Sequence, residues 1–305
     1  MNINNNFTPL AWHKGDIELQ SNRATYAFGH IVPLIASKNT LIPFQLITKI
    51  GEIDVSASDV RLHTIDGTDA VGENLWNRMG MHLVSNKYGR DVLIFRGTEI
   101  TPALPIGQYY FTLASTVNNV TTTWYSDVVT IVPDVAKMTR VRWYNVFDLV
   151  FGEGFIIHRW SNRGERAYTY QNWMYFVEEL GMPEYTVEEE GDTRDGLFYA
   201  SKIVSGKKYK MQIAQLSEPM CDALRFVHLS DFVDIRDGYL RTYNCDNVLI
   251  TPEWQDGAVA SASVEITTDT FVKRVGNAMS ANVPVIGQTG IIGEAVIGST
   301  FTIGA

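Results

Sequence analysis

Apolar and polar residues alternate over much of the chain. In the stretch 107–113, Tyr109, Phe111 and Leu113 fall on one side, and a second apolar run covers 124–132. Alternation over so few residues marks a half-buried strand. Asn118-Asn119 between the two runs is a turn signal. Residues 59–65, closed by Asp66-Gly67, and residues 91–95, closed by Arg96-Gly97, read as further strands. Short strands at this spacing predict an antiparallel sandwich over 41–133. Leu104, Gly107 and Tyr109 have the L-x-x-G-x-Y form of a tyrosine corner, in which the hydroxyl bonds back to upstream backbone. A core tyrosine in a strand fits the same six residues. A last strand over 125–132 ends at Pro133-Asp134.

Residues 133–140 read as a linker to a second β-rich domain over 138–275. Strand-like runs appear at 141–144 and 155–160. Residues 203–213 read as a hairpin turning at Ser205-Gly206, and 233–243 as one turning at Asp237-Gly238. Ala260, Ala262, Val264 and Ile266 alternate with polar residues, as in a strand with one wet face. Two helices are predicted. One covers 170–180, where Tyr170, Trp173, Val177 and Leu180 share a face and Gly181 and Pro183 end the run. The other opens at Ser217, with Glu218 and Pro219 in its first turn. An acidic loop, Glu188-Glu189-Glu190-Gly191-Asp192, lies between them.

Composition narrows the function. The 305 residues are 45% hydrophobic and 19% charged, with net charge −9, a globular balance that opposes a duplex nucleic-acid partner. Residues 1–137 carry −2 and residues 138–305 carry −7, which supports the domain boundary. Cys221 and Cys245 read as free thiols. None of the six histidines has metal-ligand spacing, so no zinc site is expected. No nucleophile elbow or phosphate-binding loop is present, and no cofactor or metal is expected. The three consecutive glutamates read as a solvated loop rather than calcium ligands or a catalytic pair. Trp12, Trp124, Trp143, Trp160, Trp173 and Trp254 could build a sugar platform, although core or subunit contact is the commoner fate of tryptophan. The ending GQTGIIGEAVIGSTFTIGA is apolar, but the glycines, Pro284 and the polar residues around it exclude a spanning helix.

Three stretches together carry a resemblance. One comprises Thr8-Pro9-Leu10-Ala11-Trp12-His13, Asn22 to Gly29, Pro33-Leu34-Ile35 and Leu41 to Gln45. The second pairs Leu104 to Leu113 with Trp124 to Val132 and looks like an immunoglobulin or fibronectin type III module. The third runs from Arg142-Trp143-Tyr144-Asn145 through Glu184 to Gly191, Glu218-Pro219 and Asp222-Ala223-Leu224 to Trp254-Gln255-Asp256-Gly257. This order resembles virion proteins of tailed phages of gut Bacteroidetes, including crAss-like phages, which build neck, ring or hub. The resemblance implies a non-enzymatic structural protein of the virion, put together in the host cytoplasm. It would form a homo-oligomeric ring around a DNA channel and contact other tail or neck proteins. A carbohydrate- or receptor-binding module and a glycan-cleaving enzyme are the alternatives.

The expected fold is therefore mainly β, with an immunoglobulin-like sandwich over 41–133 and a second β-rich domain with two short helices over 138–275. An N-terminal arm, 1–40, and a tail, 276–305, lie outside both cores. Trp12, Tyr26 and Phe28 of the arm, and Ile291, Ile292, Val296, Ile297, Phe301 and Ile303 of the tail, are the expected subunit-interface residues. The tail is expected to pair with another subunit by strand addition. Truncation after about residue 280 should leave both domains folded and weaken assembly in sedimentation. Loss of the second domain's unfolding transition would place the tail in that core instead.

Overall fold

The computed structural model describes residues 8–15, 34–97, 99–145, 149–151, 155–157, 170–255, 259–274, 290–292 and 295–297. The chain is mainly β. The first unit contains β1 (Trp12–Lys14), β2 (Leu34–Ser37), β3 (Phe44–Thr48), β4 (Ser58–Thr64), the short helix α1 (Trp76–Met79), β5 (His82–Lys87), β6 (Arg90–Phe95), β7 (Gly107–Val117), β8 (Val120–Ser126) and β9 (Val129–Val132). One sheet has the order β1-β8-β7-β9-β2, with β4 also paired to β7. A second has the order β3-β6-β5. The pairings are antiparallel except β2 with β9. The two sheets share a core in which the Trp12 and Phe44 rings lie 4.8 Å apart and Phe44 and Phe95 5.5 Å apart.

Three local features set this unit's shape. Asn118 and Asn119 adopt positive φ (50° and 61°) and turn β7 into β8, as their dipeptide predicts. Tyr109 Oη donates to Ile106 O at 3.1 Å, the bond the tyrosine-corner reading expects. Gly107 there has φ +148°, and an added Cβ would lie 3.0 Å from Tyr109 Oη. The run 125–132 is not one strand. It breaks between β8 and β9, and the Phe111 N–H freed by the break donates to Ser126 Oγ at 2.8 Å.

The expectation of an arm outside the core fails for part of residues 1–40. Leu10, Ala11 and Trp12 are buried, and β1 and β2 pair with β8 and β9. The physical reason is the edge of β8 and β9, which would otherwise present bare backbone groups. Tyr26 and Phe28 lie outside the described residues.

The second unit contains β10 (Thr139–Tyr144), the paired short strands β11 (Leu149–Phe151) and β12 (Phe155–Ile157), β13 (Gln171–Phe176), β14 (Glu184–Arg194), β15 (Leu197–Ser217), the helix α2 (Glu218–Arg225), β16 (Phe232–Arg236), β17 (Thr242–Gln255), β18 (Val259–Arg274), β19 (Gly290–Ile292) and β20 (Ala295–Ile297). The antiparallel order is β13-β10-β16-β17-β18-β15-β14, with β19 on β18 and β20 on β19. Ala260, Ala262, Val264 and Ile266 of β18 are buried with Tyr209, Met211 and Ile213 of β15, as their alternation predicts. Helix α2 adds Met220, Ala223 and Leu224 to this core.

Three expectations are corrected here. Residues 170–180 are not a helix, because 171–176 form β13, with Asn172, Met174 and Phe176 buried on one face. A period of two outcompetes the helical period when aromatic side chains favour strands. The acidic residues 188–192 form part of β14, not a loop. Ser205-Gly206 is no turn: β15 runs through it, and the turn is at Asp195-Gly196, both at positive φ (51° and 76°). The Asp237 turn stands as read: the carboxylate accepts from the N–H groups of Tyr239 and Arg241, each at 2.9 Å.

The two units meet where the Trp173 ring lies over Gly97. Gly97 has φ +71°, and a Cβ there would fall 2.3 Å from the indole. Gly97→Ala should destabilise the protein by about 2–5 kcal/mol in urea unfolding, combining left-handed strain with overpacking. A loss below about 1 kcal/mol would mean that the indole can slide aside.

Candidate functional site

Strand β15 has 21 residues. At about 3.3 Å per residue it spans about 70 Å. Its C-terminal half carries the core residues Tyr209, Met211, Ile213 and Leu216, whereas Leu197, Phe198 and Tyr199 at its start are exposed. Its partner β14 is exposed along nearly its whole length. The β14–β15 hairpin is thus an arm that leaves the core with both faces wet. Tyr185, Val187, Leu197, Phe198, Tyr199 and Phe271 are large apolar residues on the arm and on neighbouring β18, all about half exposed or more.

The arm is held by its backbone ladder and by charges across it. Lys202 Nζ donates to Glu190 Oε1 at 2.9 Å, and Lys210 Nζ to Glu184 Oε1 at 3.0 Å. Exposed pairs of this kind contribute little to stability, so they serve register more. A bulge interrupts the ladder at Glu190-Gly191. A Cβ at Gly191 would lie 2.1 Å from Tyr199 O, so the close approach requires glycine. At the root, Lys207 Nζ lies 5.0 Å from the Tyr209 ring, 5.6 Å from Tyr243 and 6.0 Å from Tyr185. This cation among three rings ties β15 to β14 and β17. Beside it, burial raises the Asp237 carboxyl, but hydrogen bonds from Arg241 and Tyr239 outweigh burial and hold it below the usual carboxylate range.

The outer edge of β14 pairs with nothing among the described residues. It carries Glu184, Glu188, Glu189, Glu190 and Asp192 against the single cation Arg194. Charge along an open edge discourages indiscriminate strand pairing while leaving the edge available to a complementary partner.

The expected interface residues scatter. Trp12 is buried in its own chain, paired through the backbone with Ser126. Ile291, Ile292, Val296 and Ile297 belong to β19 and β20, a hairpin laddered onto Phe271 and Val272 of the same chain's β18. The tail therefore finds a sheet edge, but within its own chain. Phe301 and Ile303 lie outside the described residues. The arm tip went unread, although Asp195-Gly196 carries the strongest short hairpin signal. Among the described residues no group of three or more His, Cys, Asp or Glu side chains could hold a metal ion, and no described helix is long and apolar enough to cross a membrane.

Comparisons with known proteins return nothing: no family model, no curated protein and no solved structure matches the chain.

Neither Cys221 nor Cys245 is joined in a disulfide. Burial, followed by the charges of Asp222 and Glu218, pushes the Cys221 thiol up to about 11. In the folded protein, iodoacetamide at pH 8 should label half-buried Cys245 and spare Cys221 until the pH nears 11 or urea unfolds the chain. Equal labelling of both at pH 8, read by peptide mass spectrometry, would contradict the burial described for α2.

Proposed function

We propose that the chain is a non-enzymatic structural protein of a tailed-phage virion, which joins copies of itself into a tail or neck ring through the β14–β15 arm. The observation that carries this reading is the arm itself. A hairpin with two wet faces, exposed Leu197, Phe198 and Tyr199 at its tip and an open edge adds little to the stability of its own domain. Such a segment gains burial from a neighbour, and a head-to-tail contact of this kind closes a ring when its rotation allows. Neighbouring ring, hub or portal proteins would contact the faces above and below, and the acidic excess of residues 138–305 suits a channel wall along which DNA slides without sticking.

The first unit fits a rigid immunoglobulin-like module in such an assembly. Its β3-β6-β5 and β4-β7-β8/β9 orders correspond to the B-E-D and C-F-G sheets of that fold, and its tyrosine corner opens the central strand of the second sheet. A sugar-binding surface has less support. Trp12, Trp76, Trp124 and Trp143 are buried, and Trp254 alone among the described tryptophans is more than half exposed.

Negative-stain microscopy and sedimentation of the purified protein should show rings. The triple variant Leu197→Ser, Phe198→Ser, Tyr199→Ser should unfold within about 0.5 kcal/mol per site of the parent, since these side chains are exposed, and should shift rings to monomers. A parent protein that stays monomeric at high concentration and joins no other virion protein would refute the reading.

A further inference from the structure

One face of the β13-β10-β16 sheet carries more positive charge than the described residues around it neutralise. Arg142 lies directly opposite Trp173 on β13 and Asp234 on β16. Arg140 lies opposite Tyr175 and Arg236. Asp234, buried at 4% exposure, accepts from Arg142 Nε at 2.6 Å and more weakly from Arg140 Nη2 at 3.5 Å. Gln171 Oε1 accepts from Arg142 Nη1 at 3.1 Å. Two of the three guanidinium groups, those of Arg140 and Arg142, thus share one carboxylate. Arg140 and Arg236 also stand directly across from each other, an arrangement that repels in a sheet.

The donors are unmatched as well as the charge. Arg140 Nε, Arg236 Nε and Trp173 Nε1 are closed to water and have no acceptor among the described residues. All three groups can only donate. Buried donors normally find a partner, and an arginine cannot escape the problem by losing its proton. Burial, then the charge of Arg142, weighs against the charged form of Arg140, and Asp234 offsets this only in part. What the cluster lacks among the described residues is an acceptor that also brings negative charge. Guanidinium forks match the oxygens of phosphate and carboxylate groups. The face remains reachable, since the Arg142 side chain is 29% exposed. It also borders the junction of the two units, because Trp173 in the same row packs on Gly97.

We propose that Arg140, Arg142 and Arg236 form an oxyanion-binding site that takes a phosphate or carboxylate group at the junction of the two units. The site stands apart from the arm and does not depend on the virion reading. Its ligand is either a free anion or a carboxylate presented by another copy of the chain, and both offer the same oxygens.

The test uses the full chain and inorganic phosphate. Thermal unfolding is followed against phosphate concentration, with chloride at matched ionic strength as reference. The parent Tm should rise saturably with phosphate, as it must when an ion binds only the folded state. Arg236→Met keeps the aliphatic stem and relieves the repulsion with Arg140, so it should fold at least as stably in chloride. It should need at least tenfold more phosphate for the same rise. Arg225→Met, at an exposed cation on α2, should behave as the parent. Sedimentation in the same buffers identifies the source. An unchanged sedimentation coefficient on phosphate binding points to a free anion, and release of subunits from an oligomer points to a neighbour's carboxylate. Identical Tm values in phosphate and chloride, or an undiminished phosphate response in Arg236→Met, would overturn the site and leave water as the partner of these donors.

Discussion

A strand of 21 residues cannot be buried by a helix of eight. Helix α2 covers only the end of the second sheet where β15, β17 and β18 come together, and there Tyr209, Met211, Ile213, Val264 and Ile266 are buried. Past that cover the ladder continues because every residue added to it satisfies backbone groups, although no apolar burial supports the face. The composition of the strands follows from this limit. Toward the core the inward positions Tyr209, Met211, Ile213 and Leu216 are apolar, and on the arm β14 and the start of β15 have no dry side. The cation of Lys207 among Tyr185, Tyr209 and Tyr243 sits where one regime passes into the other.

The first unit solves its edges in the opposite way. The chain breaks at Ser126, fills the gap in the ladder with a hydroxyl, and resumes as β9 along the same edge of β7. The outer side of that composite strand is then closed by β1 running antiparallel and β2 running parallel. That moves the open edge outward onto β1 and β2, three and four residues long, which present little backbone to a partner. Among the described residues the longest open edge is that of β14 in the second unit, and the two units touch at Gly97 and Trp173.

The sequence made the first unit legible because its signals are local. Leu104, Gly107 and Tyr109 announce a bond that closes within three residues, and Asn118-Asn119 can turn in few ways other than the one observed. The second unit was misread where two periods compete. Between 170 and 180, Tyr170, Trp173, Val177 and Leu180 satisfy a helix, while Asn172, Met174 and Phe176 satisfy a strand. Only the neighbouring β10, with Val141 and Trp143 to be covered, decides between them. The three glutamates of β14 show no period because neither face is buried, so nothing but pairing with β15 reveals the strand. The arginine cluster was invisible for a related reason. Arg140 and Arg142 lie close in sequence, but Arg236 and Trp173 join them only through strand register.

Register also explains why the tail settles where it does. Strand β17 meets β18 only as far as Cys245 opposite Thr268, so the edge of β18 beyond that point lacks a neighbour from the main sheet. The β19–β20 hairpin takes up Phe271 and Val272 there, next to the open face of the arm. Two paired residues make a short ladder. A short ladder at an edge has little local free energy to resist exchange, and an identical edge on a second copy would offer the same bonds. The stretch of edge that Ile291 and Ile292 take is thus the one that the shortness of the β17–β18 ladder leaves free.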